Sequence, residues 1–207
     1  MKTRFLFIIL MLAIVSTGCE KRSFTFVLDI KQTQIYNIDQ IGPFEIGRVV
    51  SREDVLAAAD IPKDARIKDV KIQSVAINTK VLEGNQASKL VATATINDLL
   101  TGKERVFEDY SVPLTGLLGI SNPFSPVSLL LDGGIDALKD KIQGYVKNDD
   151  FYDYELILEG NTEPANQRLV AEVKLKIVAT VKYEECLDVL GFTSDGEPCS
   201  DVTDETM

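Results

Sequence analysis

Arg168-Leu169-Val170-Ala171-Glu172-Val173-Lys174-Leu175-Lys176-Ile177-Val178-Ala179-Thr180-Val181-Lys182-Tyr183 decides the fold. Leu169, Ala171, Val173, Leu175, Ile177, Ala179, Val181 and Tyr183 occupy one parity, and Glu172, Lys174, Lys176, Thr180 and Lys182 the other. Side chains on a strand point alternately to its two faces, so this segment has one apolar and one charged face. Such a strand belongs to an antiparallel sheet with one side on a core and the other in water.

The same period of two recurs in both directions from this stretch. Phe24, Phe26, Leu28 and Ile30 share a parity, as do Leu90, Ala92, Ala94 and Ile96. Tyr152, Tyr154, Leu156 and Leu158 form another apolar row, opposed by Asp153, Glu155 and Glu159, and Val106 to Val112 reads as a shorter strand. Between residues 66 and 82 the phase changes, from Val70 and Ile72 to Val75, Ile77 and Val81, which predicts a bulge or bend near Gln73-Ser74. Glu83-Gly84-Asn85-Gln86 and the stretch from Glu159 to Asn166 read as hairpin connections, the second pairing the strands 151–159 and 168–184. The expected fold is mainly β, an antiparallel β-sandwich or open barrel. Ile67-Lys68-Asp69-Val70-Lys71-Ile72 followed by paired strands resembles the late-embryogenesis-abundant type 14 group among exported or stress-related β-sandwich domains. That resemblance implies a sandwich in preference to a closed barrel.

Two segments break the β pattern. Ser51-Arg52-Glu53-Asp54 before Val55-Leu56-Ala57-Ala58-Ala59 predicts an N-capped short helix near 52–60, ending before Pro62. Val127, Leu131, Ile135, Leu138, Ile142 and Val146 recur at helical spacing, which predicts a longer amphipathic helix near 127–147, with Asp136, Lys139, Asp140 and Lys141 on its other faces and Gly133-Gly134 weakening its start. Residues 110–131 carry no charged side chain. Pro113, Pro123 and Pro126 exclude a regular spanning helix there. One reading is a crossover loop leading into the helix; the other is an apolar flap bearing Leu114, Leu117, Leu118, Ile120, Phe124 and Leu130 over a cavity for an apolar ligand.

At the N-terminus, Lys2 and Arg4 precede an apolar run from Phe5 to Val15 and then Ser16-Thr17-Gly18-Cys19. The run is about half the ~20 residues that cross a hydrocarbon core, which favours an export signal over a membrane-spanning helix. Ser16-Thr17-Gly18-Cys19 resembles the lipobox of bacterial lipoproteins, departing from it at Ser16, where the family usually has Leu. The resemblance implies cleavage after Gly18 and attachment of diacylglycerol and fatty acid such as palmitate to Cys19; the alternative is an ordinary secreted protein cut near Gly18. Two or three acyl chains hold a protein on a bilayer where one does not. Glu20-Lys21 follows the cysteine, and in the lipoprotein sorting pattern the lack of Asp there favours the outer membrane. Which face of the envelope the body occupies is not encoded. The expected division is a signal peptide over 1–18, a lipidated cysteine and tether over 19–23, a β-rich domain over 24–185, and an acidic extension over 186–207.

With Cys19 assigned to lipid, Cys186 and Cys199 remain as a pair, and an exported protein keeps disulfides. A loop of this length stabilises by about 3 kcal/mol in the chain-entropy model. Removing Lys2 and Arg4 with the signal leaves 20 basic residues against 32 acidic ones, a net charge of −12. Such a body does not seek nucleic acid. From Glu184 to Met207 there are eight acids and no Lys or Arg.

The chain contains no histidine, which removes histidine-based triads and histidine-ligated zinc. No nucleophile elbow, phosphate loop or dinucleotide fingerprint is present. Asn148-Asp149-Asp150 and the tail acids follow no calcium-loop spacing. Asp149, Asp150, Asp153 and Glu155 read as a turn and the wet side of a strand rather than a hydrolytic pair. No catalytic residue, metal or cofactor is therefore expected. The sequence points to an envelope lipoprotein acting as a noncatalytic binding or scaffold module for an envelope protein, with a carrier or sensor of an apolar ligand second and a carboxylate-dependent hydrolase third.

Overall fold

The computed structural model describes residues 19–62, 65–100, 102–116, 118–147, 149–190 and 197–199. Residues 1–18, where a signal peptide is expected, Leu117, Asn148 and the acidic tail from Ser200 onward lie outside the described residues. In chain order the elements are β1 (Cys19–Ile41), β2 (Phe44–Val50), α1 (Arg52–Ala58), β3 (Arg66–Val81), β4 (Lys89–Asp98), β5 (Gly102–Pro113), β6 (Ser125–Pro126), α2 (Asp132–Lys147), β7 (Tyr154–Glu163), β8 (Arg168–Leu190) and β9 (Glu197–Pro198).

The strands form two sheets, one in the order β6-β3-β8-β1-β9 and the other β2-β7-β4-β5. The fold is an antiparallel β-sandwich. The chain divides into two compact units. The larger comprises Val27–Ile61 and Ile67–Lys182 and contains the whole apolar core. Leu169, Ala171, Val173, Leu175, Ile177, Ala179 and Val181 are all buried, packed with Leu90, Ala92, Ala94 and Ile96 of β4 and Tyr154, Leu156 and Leu158 of β7. The alternation in these three strands is thus the two inner faces of the sandwich.

The smaller unit is built from the described residues of Met1–Phe26, Pro62–Arg66 and Tyr183–Met207. In it Arg22 and Ser23 pair with Pro198 and Glu197, and the Phe26 and Tyr183 rings stack at 5.4 Å. Cys186 is joined to Cys199 with their Cα atoms 6.1 Å apart. Residues 19–23 belong to β1 and residues 186–190 to β8, where a tether and an extension were expected. The reason is backbone pairing, since β9 supplies β1 with a partner that composition does not reveal.

Two connections differ from the hairpins expected. β3 and β4 lie in different sheets, as do β7 and β8, so residues 82–88 and 164–167 carry the chain across the core. Both strands at each crossing own an apolar row, and facing sheets bury two such rows where a single sheet buries them side by side. The turn residues fit either geometry: Gly84 has φ +89° and Asn166 φ +61°, and Glu163-Pro164 is cis. A true hairpin joins β4 to β5, with Asp98 opposite Gly102. β3 runs unbroken through Gln73-Ser74; beyond that point Val75, Ala76, Ile77, Asn78 and Thr79 are all buried.

The helices also sharpen. α1 has the expected capping box, with Asp54 N–H donating to Ser51 Oγ and Ser51 N–H to the Asp54 carboxylate. α2 begins at Asp132, five residues later than expected. Val127 N–H donates instead to Val75 O, and Leu131 N–H to Val106 O, so this stretch is spent on strand edges. The Gly133-Gly134 pair does not disrupt the helix. A Cβ on Gly134 would sit 2.1 Å from Arg105 O, so glycine lets α2 rest directly on the β5 backbone. The buried face of α2 is Gly134, Leu138, Lys141, Ile142 and Tyr145, rotated from the expected stripe so that Ile135 and Val146 are only half-buried.

Candidate functional site

The outer face of the β2-β7-β4-β5 sheet holds a groove of about 540 Å³. Its floor is Val91, Thr93, Gly160 and Asn161, flanked by Pro43, Phe44 and Glu45 on one side and Arg105, Glu108 and Asp109 on the other, with Glu159 beside them. Two register shifts between β4 and β5, at Ala92/Ala94 and Ala94/Thr95, create the second wall. Each adds a residue to β5, which bends the strand and re-aims its side chains. Asp109 sits at this bend with φ +49°, its N–H donating to Thr93 Oγ1 at 3.2 Å. Arg105 Nη1 donates to Glu108 Oε2 at 3.0 Å across the same bend. At the opposite wall, a Cβ on Gly160 would lie 2.3 Å from Val91 O and 3.0 Å from the Phe44 ring; its absence gives the ring its place.

The groove's charged lining is one guanidinium and four carboxylates, from Glu45, Glu108, Asp109 and Glu159. Arg105 is already paired, so the surplus is negative. Such a surface favours cationic or multiply hydrogen-bond-donating groups and steers them inward.

A second cluster lies under the sheet's end. Lys141 on α2 is 3% exposed and its Nζ contacts Asp98 Oδ1 at 2.6 Å and Asp150 Oδ2 at 2.7 Å. Asp98 closes β4 and is 5% exposed, and Asp150 lies in the segment before β7. Leu100 N–H points at Asp98 Oδ2 at 3.3 Å, and Tyr152 N–H donates to Asp150 Oδ1 at 2.9 Å. The Tyr145 ring lies 5.5 Å from Lys141 Nζ, and its hydroxyl donates to Tyr152 O at 2.7 Å. Burial disfavours the Lys141 ammonium, but hydrogen bonds to Asp150 and Asp98 overcome it and hold the group above its ordinary range. Burial likewise raises the phenols of Tyr36, Tyr145 and Tyr154.

The described residues from 118 to 127 form a strap along the edge of β3. Gly119 N–H donates to Val81 O and Asn122 N–H to Thr79 O, and Asn78 Nδ2 donates to Asn122 O. Of the residues expected in an apolar flap, Leu114 is buried, Leu130 is half-buried, and Leu118 and Ile120 are 65% and 62% exposed. Phe124 lies 4.3 Å from Lys176 Nζ, ring against ammonium. The cavity at the strap is about 110 Å³ and is lined by Ile77, Thr79, Tyr110, Ser111, Val112, Pro113, Asn122 and Ser125. α2 is not among its walls.

The acids weighed for hydrolysis are scattered. Asp153 accepts from Arg52 N–H, Glu155 from Asn97, and Asp150 belongs to the lysine cluster. Among the described residues no group of three or more acids and cysteines could hold a metal ion, and no helix is long and apolar enough to cross a membrane. The groove and Lys141 were missed from sequence. Lys141 lies three residues after Leu138 and four before Tyr145, the spacing of the buried stripe, and that spacing is the signal that could have found it.

No family model and no curated protein matches the chain. Several solved structures align with it at low similarity. The decameric BFDV capsid protein is 13% identical, with 78% of this chain and 98% of that chain covered and a TM-score of 0.34. The infectious bursal disease virus Gx strain structure is 10% identical, with 82% of this chain covered and a TM-score of 0.31. The chain spans 39% of the latter's length. At these scores the alignments carry no functional argument.

Proposed function

We propose that the chain is a lipid-anchored envelope protein whose sandwich is a noncatalytic binding module, with the groove on the β2-β7-β4-β5 sheet as its contact surface. The observation that carries this is the groove itself, an open acidic depression of about 540 Å³ walled by two β-bulges and the Phe44–Gly160 contact. Bulges cost regular pairing, and they recur where a strand must re-aim side chains toward a ligand. The excess of carboxylates selects a partner segment that carries basic side chains. In this reading the lipid on Cys19 supplies membrane attachment, so the acidic body needs no affinity for anionic headgroups.

The test is site-specific photo-crosslinking in cells, with the probe at Thr93 in the groove and a control probe at Thr180 of β8. A discrete protein adduct from Thr93, absent from Thr180 and lost when Glu45 and Glu159 are changed to Lys, is expected. Indiscriminate adducts from both positions, or a Thr93 adduct indifferent to the charge reversal, would overturn the assignment.

A further inference from the structure

We propose that Lys141 and Asp98 condense to an amide inside the fold, with Asp150 relaying the proton, so that α2 is covalently crosslinked to the end of β4. The proposal stands on geometry independent of the groove. A lysine ammonium and two carboxylates meet where water is nearly excluded, at 2.6 and 2.7 Å, with exposures of 3%, 5% and 15%. One carboxylate suffices to neutralise the lysine, and the second, 15% exposed, is not needed for that. Amide formation, in contrast, needs both an electrophilic carboxyl and a separate base.

The roles follow from the hydrogen bonds. Asp98 is the more buried and its Oδ2 faces Leu100 N–H, so negative charge developing on that oxygen meets a backbone donor. Asp150 accepts from Tyr152 N–H and is the more exposed of the two carboxylates, on the side where a departing water can leave. The reaction begins when a proton passes from Nζ to Asp98 Oδ1 along the 2.6 Å contact, giving an amine and a carboxylic acid with no change in total charge. The ammonium is the favoured resting form, so the reactive tautomer is a minor one and the reaction is slow. The Nζ lone pair attacks Asp98 Cγ, and the C=O electrons move to Oδ2. Asp150 takes one proton from Nζ and delivers it to Oδ1, the Cγ–Oδ1 bond breaks, and water departs. One ammonium and one carboxylate become one secondary amide and one water, with Asp150 unchanged and no oxidant or reductant involved. The bond would close a 43-residue loop.

Peptide mapping of the full chain purified from membranes tests this. The expected result is a branched peptide joining the Asp98 and Lys141 segments, lighter by one water than their sum, with no tryptic cleavage after Lys141. Lys141→Arg should restore the missing water and yield linear peptides, and Asp150→Asn should slow formation at least about a hundredfold. Linear peptides with free Lys141 in the wild type would overturn the proposal. So would water loss that persists in Lys141→Arg, which would place it elsewhere, for example at Asp132-Gly133. Equal rates in the wild type and Asp150→Asn would remove the relay.

Discussion

Adjacent glycines at the start of α2 should respond oppositely to the same substitution. In Gly134→Ala the new methyl would lie 2.1 Å from Arg105 O, 2.4 Å from its carbonyl carbon and 2.6 Å from Val106 Cα, where ordinary contact begins at 3.4 Å. These are backbone atoms of β5, so the clash of about 1.3 Å is relieved only by lifting the helix. Overpacking of this kind costs about 1–3 kcal/mol, and alanine's helix propensity returns at most about 1. A net loss of about 1–2 kcal/mol lowers Tm by roughly 3–6 °C in a chain of this size. In Gly133→Ala the nearest atom is Glu104 Oε2 at 2.8 Å, the free end of an exposed side chain that can swing away. That variant should gain up to about 1 kcal/mol from propensity and melt up to about 3 °C higher. Thermal unfolding followed by far-UV circular dichroism reads both. A Gly134→Ala protein as stable as wild type would refute the direct seating of α2 on β5, and with it the placement of Lys141.

Alkaline titration should show Tyr36, Tyr145 and Tyr154 ionising only on unfolding. Burial raises their folded-state pKa above the ordinary 10.0, so the stability they contribute is full below pH 10 and fades above it. Part of the tyrosinate absorbance should therefore appear only with loss of circular dichroism; full tyrosinate absorbance before that loss refutes it. Thr79→Val should be neutral or stabilising by up to about 1 kcal/mol in urea denaturation, because the Thr79 hydroxyl is buried without a hydrogen-bond partner among the described residues. A loss above about 1 kcal/mol would mean the hydroxyl is satisfied. Ser51→Ala removes the capping box of α1 and should cost about 1 kcal/mol in the same assay, with no effect if that helix end is frayed.

The sandwich was legible because its decisive signal is local. From Leu169 to Val181 each residue's burial follows its own parity, and both halves of the α1 capping box, Ser51 and Asp54, lie within four residues. Sheet membership is not local. Glu83-Gly84-Asn85-Gln86 and Glu163-Pro164-Ala165-Asn166 contain the residues that any tight reversal demands, so they announce a turn without revealing whether the next strand pairs beside the last or faces it across the core. The buried cluster escaped for a related reason. A lysine on a helical wheel is assigned to water by default, and its partners Asp98 and Asp150 come from a hairpin and a loop brought near only by the fold. The groove depends on bulges in β5, where Val106 and Phe107 are both buried in succession and the alternating pattern fails.

In the proposed function this binding module works from a membrane to which Cys19 attaches it. Metabolic labelling with a fatty-acid analogue, followed by membrane fractionation of wild type and Cys19→Ala, tests that claim most directly. Label on the wild-type protein in the membrane fraction and an unlabelled, released Cys19→Ala protein are expected. An unlabelled wild type, or a Cys19→Ala protein that stays with the membrane, would contradict it.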